Sequence, residues 1–367
     1  MFDDLHALPE SEQEAAGHRL VQQELLHFFD LAQGPLFRVR LVRRAEREHL
    51  LLITMHQVIG DGWSLGVLVD ELFTVYDAFS AQAGSPLAPL SIQYADFAQW
   101  QRRWQSHPDL VAQLAYWRER LRDPLPQPGL AMAGRRWIID DLRTARRGLA
   151  LPASLSEAAK RFGQREGGSL FMALLTGLKI LLYRQLGQED LRVATLVANR
   201  NRPGTERIIG PLANMVILRT NLGGDPSTRE VMRRVRGTAL AAFVNQDLPF
   251  EEIVESLRER ALKPVALASI MITLRNAALR PMRTSDHSLA FEEANPTLQM
   301  PLVPATTFDI IVALNETANG IAGICVYKPH LFDTTTIDQL LRGFRSVLEQ
   351  MVMWPERSIS SIRVPPK

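Results

Sequence analysis

Residues 55 to 64 read MHQVIGDGWS, and three of them, His56, Gln57 and Asp61, bring polar groups into a place where the surrounding pattern calls for a core strand. A histidine there has the chemistry of a proton acceptor, whereas a glutamine amide has no titration near neutral pH and can only donate a hydrogen bond to an oxyanion. Taken singly, each has a plainer reading. A histidine at a strand end is more often a hydrogen-bonded core residue than a catalyst, and an aspartate between two glycines is usually a turn residue.

The flanking residues show what must position these groups. His49-Leu50-Leu51-Leu52-Ile53-Thr54 is nearly continuous apolar sequence, the mark of a buried strand. Leu65, Val67, Leu68, Val69, Leu72, Phe73 and Val75 then recur at helical spacing. A strand therefore ends, a tight Gly60-Asp61-Gly62 turn follows, and a helix begins near Ser64.

Upstream, the first forty residues read as an acidic helix, ESEQEAAGHRLVQQELLHFF, closed by the turn Gln33-Gly34-Pro35. LFRVRLVRR and HLLLITMHQ, separated by AERE, predict a hairpin. After the helix SLGVLVDELFTVYDAF, the stretches YADFAQWQRRWQ and LVAQLAYWRERL predict two more, split at His107-Pro108. DPLPQPGLAMAG is the linker candidate. Beyond it, SLSEAAKRFGQREG and SLFMALLTGLKILLYRQLG predict helices, DLRVATLVAN and MVILRTNL predict strands, and 226 to 260 is helix-rich. From TTFDII to the final helix the order is strand, polar turn, strand, short connection, amphipathic helix, the same as in residues 36 to 79. Two lobes of one plan are expected, although a hairpin plus helix is a common unit and can recur by coincidence.

A chain of 367 residues, 46% hydrophobic, can bury two cores, and the division is expected at 1–125 and 126–367. No apolar run approaches the roughly 18 residues of a membrane span, and MFDDLHALPE lacks the features of a signal peptide, so a cytoplasmic place and no membrane partner are expected. The single Cys325 excludes an internal disulfide and a cysteine-rich metal site, and within GIAGICVY it reads as a small core residue. A net charge of +2 is too small to predict nucleic acid as a partner, and Arg102-Arg103 and Arg135-Arg136, without interleaved aromatics, read as solvated faces. There is no G-x-S-x-G elbow, no phosphate loop, no H-E-x-x-H pair and no complete G-x-G-x-x-G.

Together the segments are more specific. His56 to Ser64 resembles the His-His-x-x-x-Asp-Gly signature of condensation domains of nonribosomal peptide synthetases, relatives of chloramphenicol acetyltransferase. Tyr94-Ala95-Asp96-Phe97-Ala98-Gln99-Trp100 is similar to the family's Tyr-x-Asp-Phe-Ala-x-Trp. Ile209 to Arg219 resembles Ile-Gly-x-x-x-Asn-x-x-x-Leu-Arg, and Asn245 to Glu251 resembles His-Gln-Asp-x-Pro-Phe-Glu. The resemblance implies an α/β (α+β) fold of two acyltransferase-like lobes in a V-shaped pseudodimer, with a tunnel through the junction. It implies donor and acceptor carrier proteins that present substrates on phosphopantetheine arms, adjacent synthetase domains as partners, and no metal or cofactor bound by the domain itself. The acceptor's amine would attack the donor thioester and form an amide.

Residue by residue, the resemblance gives Gln57 the place of the catalytic second histidine and His56 the place of the first, structural one. Asp61 would hold the turn through a salt bridge to an arginine of the other lobe, Arg200 with Arg202 as runner-up. Gly62 would give the backbone room near the substrate; Trp63, Ser64 and Asn214 are the tunnel candidates, Trp63 more as packing than as contact. With Gln57 in place of histidine, amide formation is expected to fall by roughly 10²- to 10⁴-fold if general-base work dominates. The family's opening strand and helix, with Arg-Leu-Trp and His-Glu-x-Leu-Arg motifs, do not appear, so an incomplete first lobe is expected, from truncation or a gene start further upstream. Asn245 for the usual histidine and the weak match of RALKPVALASIM are lesser departures. Two functions follow: an amide-forming domain impaired at Gln57, or a noncatalytic module that binds carrier proteins or recruits a tailoring enzyme. Epimerisation is a weaker option, and heterocyclisation is disfavoured because position 56 is histidine.

Overall fold

A computed structural model describes residues 1–104, 107–122, 143–258, 267–275, 282–283, 288–289 and 308–364. The linker candidate at 123–134, the expected boundary at 125/126 and Arg135-Arg136 lie outside the described residues. The described chain is mixed α/β and packs as two compact units, Met1–Tyr94 with Pro203–Leu212 and Pro281–Leu302, and Ala95–Arg202 with Ala213–Arg280 and Val303–Lys367.

The first unit begins with β1 (Phe2–Asp4), α1 (Glu10–Leu26), β2 (Phe37–Arg43), β3 (His49–Met55) and α2 (Gly62–Ser80). β2 and β3 form the expected hairpin in the register Phe37↔Met55, and β1 adds parallel to β2 on its other side. β1 was not legible as a strand, since Phe2-Asp3-Asp4 has neither alternation nor an apolar run. Its carboxylates pair with β2 arginines, Asp3 with Arg40 and Asp4 with Arg43, so its place is set by the neighbouring strand.

The second unit opens with α3 (Tyr94–Trp104) and α4 (Pro108–Leu121), split as expected, with Pro108 at the first helical position behind an N-cap His107. The sequence reading placed both helices in the first lobe; packing places them here. Trp117 of α4 is fully buried, with its indole N–H on the Asn245 carbonyl, and Arg120 donates to the Arg219 carbonyl. Then follow β4 (Ala145–Pro152), α5 (Ala153–Arg165), α6 (Leu170–Leu186), β5 (Asp190–Val197), β6 (Asn214–Asn221), α7 (Thr228–Val244), α8 (Phe250–Arg258) and β7 (Ile270–Arg275). After a two-residue pair that belongs to the first unit, β8 (Met282–Arg283) and β9 (Ser288–Leu289), the second unit resumes with β10 (Ile310–Thr317), β11 (Gly320–Tyr327) and α9 (Thr334–Met353). Six strands form one sheet in the order β4-β11-β10-β7-β5-β6. α6 is its central helix, apolar on almost every side, and packs against α5, α7 and α9. The approach to α9 is so close that a Cβ at Gly177 would stand 2.5 Å from a Leu348 methyl.

The two hairpin-plus-helix segments match in detail. Asp61 is the sixth residue after the last strand residue Met55, Asp333 is the sixth after Tyr327, and both are N-caps, accepting from Ser64 N at 2.8 Å and Thr336 N at 2.7 Å. His56 N donates to Leu36 O as Lys328 N donates to Asp309 O. The place of Gln57 is taken in the second unit by Pro329.

Candidate functional site

The turn after β3 holds the polar residues singled out in the sequence. His56 is half-buried, and its Nδ1 accepts the Val58 amide at 3.1 Å, which leaves the ring proton on Nε2. The Ile59 amide closes the turn on the His56 carbonyl. Gln57 stands exposed at the turn's first position. Gly60 is buried at the far end, where a Cβ would meet the Met55 thioether at 2.7–2.9 Å.

Asp61 ends the turn and starts α2. It is 3% exposed, and its Oδ1 accepts from both Ser64 N and Ser64 Oγ at 2.8 Å. Oδ2 accepts the Leu212 amide at 3.1 Å, from a segment 151 residues further along the chain. Ser64 is fully buried; its hydroxyl accepts from Gly210 N at 3.0 Å and lies 2.9 Å from Gly210 O. Gly210 in turn packs against the Tyr94 ring, where a Cβ would come within 2.3 Å. Three of the segments singled out in the sequence thus converge on Gly210. Trp63 is half exposed and donates its indole N–H to Glu206 O at 2.8 Å, and Arg207 pairs with Glu71 at 2.9 Å. Residues 203–212 are stitched onto the first turns of α2.

Gly62, the first residue of α2, is exposed. Ser64, a tunnel candidate in the sequence, is fully buried within this framework.

Arg200, the expected partner of Asp61, belongs to the second unit, where it is 9% exposed and donates from Nη1 to Ala198 O. Arg202 lies over Trp100 and Trp104 at 4.5 and 4.3 Å, with Asp247 at 3.5 Å. Asn214 is a clamp. Its amide donates to Gln246 O and Leu248 O, both at 2.7 Å, and its Oδ1 accepts Met215 N and Phe250 N. Its hydrogen-bonding capacity is filled by main chain, which leaves none for a substrate. Gln113 of α4 completes this second knot, accepting from Leu248 N and donating to Asp247. Gln113 was not legible as a site residue, because nothing in the helix around it marks that position as buried. Among the described residues no cluster of three His, Cys, Asp or Glu is arranged to hold a metal ion, and no single helix is long and apolar enough to cross a membrane.

A family model described as "Condensation domain" matches residues 2–367. The chain belongs to that family. A linear gramicidin synthase of Brevibacillus parabrevis is 38% identical over 98% of the chain, which spans 7% of that relative's length. Among solved structures, the condensation domain is similar to the X-domain from teicoplanin biosynthesis in its complex with OxyB, at 26% identity and a TM-score of 0.76, covering all of this chain and 79% of that one. The first condensation domain of the CDA synthetase shares the fold at 17% identity, with a TM-score of 0.79 over all of this chain and 78% of that one. Both matches agree with the α/β fold that the resemblance implied.

Proposed function

We propose that this condensation domain catalyses amide formation between a donor acyl thioester and an acceptor amine, each delivered on the phosphopantetheine arm of a carrier protein, with turnover limited by Gln57. In this reading adjacent synthetase domains are the neighbours, and the domain binds no metal or cofactor of its own. The observation that carries it is the framework around an exposed position 57, in which Asp61 and Ser64 tie the turn to Gly210 and Leu212. A chain that had lost all use for the turn would not need a buried carboxylate to hold it.

The chemistry is the attack of the amine nitrogen on the thioester carbon, with cleavage of the carbon–sulfur bond. The amine gives up a proton and the departing thiolate gains one. Gln57 can donate its amide N–H to the oxyanion of the tetrahedral intermediate but cannot take the proton. The test is the intact mass of the acceptor carrier after incubation with paired loaded carriers, using the parent chain and Gln57→His. Product from Gln57→His at roughly 10²-fold or more above the parent supports general-base loss at this position; equal turnover sinks it.

A second reading is supported by Gln57 together with the likeness to an X-domain solved in a complex with another protein, OxyB. Here the domain binds a partner and forms no bond. Carrier binding without product from either form, in the same assay, selects it.

A further inference from the structure

The positioning of residue 57 draws on a feature of the first unit that the turn itself does not explain. Glu24, near the end of α1, is 6% exposed, an unusual place for a carboxylate on an otherwise hydrophilic helix. Its Oε2 takes Arg38 Nε at 3.1 Å, its Oε1 lies 3.4 Å from Arg40 Nε, and Thr54 Oγ1 donates to it at 3.4 Å. α1 has no basic residue in its last turn. Arg38 supplies the missing cation from β2: its Nη2 donates to His27 O at 2.8 Å and to Glu24 O at 3.4 Å, capping the helix's free carbonyls from outside.

Held in this way, the Arg38 guanidinium lies 4.0 Å from the centroid of the Phe29 ring. The Phe29 ring meets His56 at 5.8 Å and 81°, a perpendicular aromatic contact. His56 then accepts the Val58 amide and fixes the turn on which residue 57 stands. The order of contacts is Glu24, Arg38, Phe29, His56, Val58.

We propose that Phe29, clamped by Arg38, is a positioning residue for the reaction at residue 57, acting through the orientation of the His56 ring. Without Phe29 the imidazole is free to rotate about its side-chain torsions, the Val58 amide loses its acceptor, and the backbone of residue 57 shifts. The inference rests on the amide-forming reading above. It predicts a loss in the chemical step, read in kcat, rather than in carrier binding, read in KM.

The test uses the full chain with Gln57→His as the active background, adding Phe29→Leu, Phe29→Tyr or Arg38→Lys. Amide formation is followed on paired loaded carriers to obtain kcat and KM, and nitrogen-15 imidazole spectra of the parent chain and its Phe29→Leu variant report the state of His56. Phe29→Leu should lower kcat about tenfold or more with KM within about twofold, and should change the His56 Nδ1 signal; Phe29→Tyr, which keeps the ring, should restore both. Arg38→Lys, which loses the planar stacking group, should move kcat in the same direction and serves if Phe29→Leu fails to fold. A folded Phe29→Leu with unchanged kcat, or with lowered kcat and an unchanged His56 signal, overturns the proposal. If Gln57→His forms no amide at all, the functional reading falls, and the spectra alone decide: an altered Nδ1 signal upholds the positioning of His56 and an unchanged one overturns it.

Discussion

Removing the Asp61 carboxylate should loosen two segments that lie far apart in the chain, and the size of the effect follows from its partners. In Asp61→Ala, α2 loses its N-cap, worth about 1 kcal/mol. The Leu212 amide, which lies in a buried setting and donates to Oδ2 at 3.1 Å, loses its acceptor at about 1–3 kcal/mol. The Ser64 hydroxyl keeps Gly210, so little is added there. The total is about 2–4 kcal/mol. Expressed as local opening, that is roughly 30- to 700-fold faster amide exchange. Asp61→Asn should fall between parent and Asp61→Ala, since its carbonyl oxygen can still cap α2 while its NH₂ faces the Leu212 N–H, a donor set against a donor. The assay is hydrogen exchange read by mass spectrometry on peptides covering 56–66 and 203–214, with thermal melting to confirm that each variant is folded. Exchange in the 203–214 peptide of Asp61→Ala within about threefold of the parent would refute the reasoning, because the carboxylate would then not be holding that segment.

Three further outcomes are expected. Asn214→Ala strips partners from Gln246 O, Leu248 O and Phe250 N and should cost about 3 kcal/mol or more in urea unfolding; Asn214→Asp should be nearly as damaging, since it sets a carboxylate oxygen against two carbonyls. Lys179 is fully buried, its Nζ on Leu218 O and Thr220 Oγ1 at 2.7 Å; burial holds its pKa well below the usual 10.5, with Arg120 pushing the same way and Asp190 opposing. The unfolded chain therefore binds that proton more tightly, so stability is lost as pH falls below about 10.5 toward the folded value. The gap in melting temperature by which Lys179→Met exceeds the parent should be larger at pH 7 than at pH 10; a gap that does not shrink as pH rises contradicts this assignment. Burial pushes the Cys325 thiol up to about 12, so native protein should resist a disulfide-exchange reagent until it opens, and prompt stoichiometric reaction would count against the buried placement.

The local elements of this domain were largely legible because their signals are local. β3, α2, α6, β10, β11 and α9 announce themselves by apolar runs or helical spacing, and the split between α3 and α4 by a proline. β4 and β7 were missed for different reasons. β4 opens on two adjacent arginines and a glycine after Ala145, with only Leu149 and Leu151 as large apolar residues, and its strand character comes from pairing with β11 along its whole length. β7 follows a stretch with no periodic pattern and owes its conformation to β10 on one side and β5 on the other. In the site, the residue types of the His56 turn singled it out, and the N-cap geometry of Asp61 follows from its place before a helical run. What sequence could not supply were the partners. Gly210 and Leu212 reach Ser64 and Asp61 across about 150 residues, Gln113 meets Leu248 across 135, and Phe29 meets His56 beside an arginine of the next strand that also binds the end of α1. None of these pairings leaves a mark in composition or periodicity.

The stitching of residues 203–212 onto α2 bears on how such domains can be recombined. A crossover placed near residue 122, between α4 and β4, looks like a clean cut in the primary structure. It would separate Asp61, Trp63, Ser64 and Glu71 from the parent residues 206, 207, 210 and 212 that they bind. A chimaera made there inherits the turn from one parent and the strap from the other. Exchange of the first unit as an inheritable module therefore requires its separate segments, residues 1–94, 203–212 and 281–302, to be transplanted together.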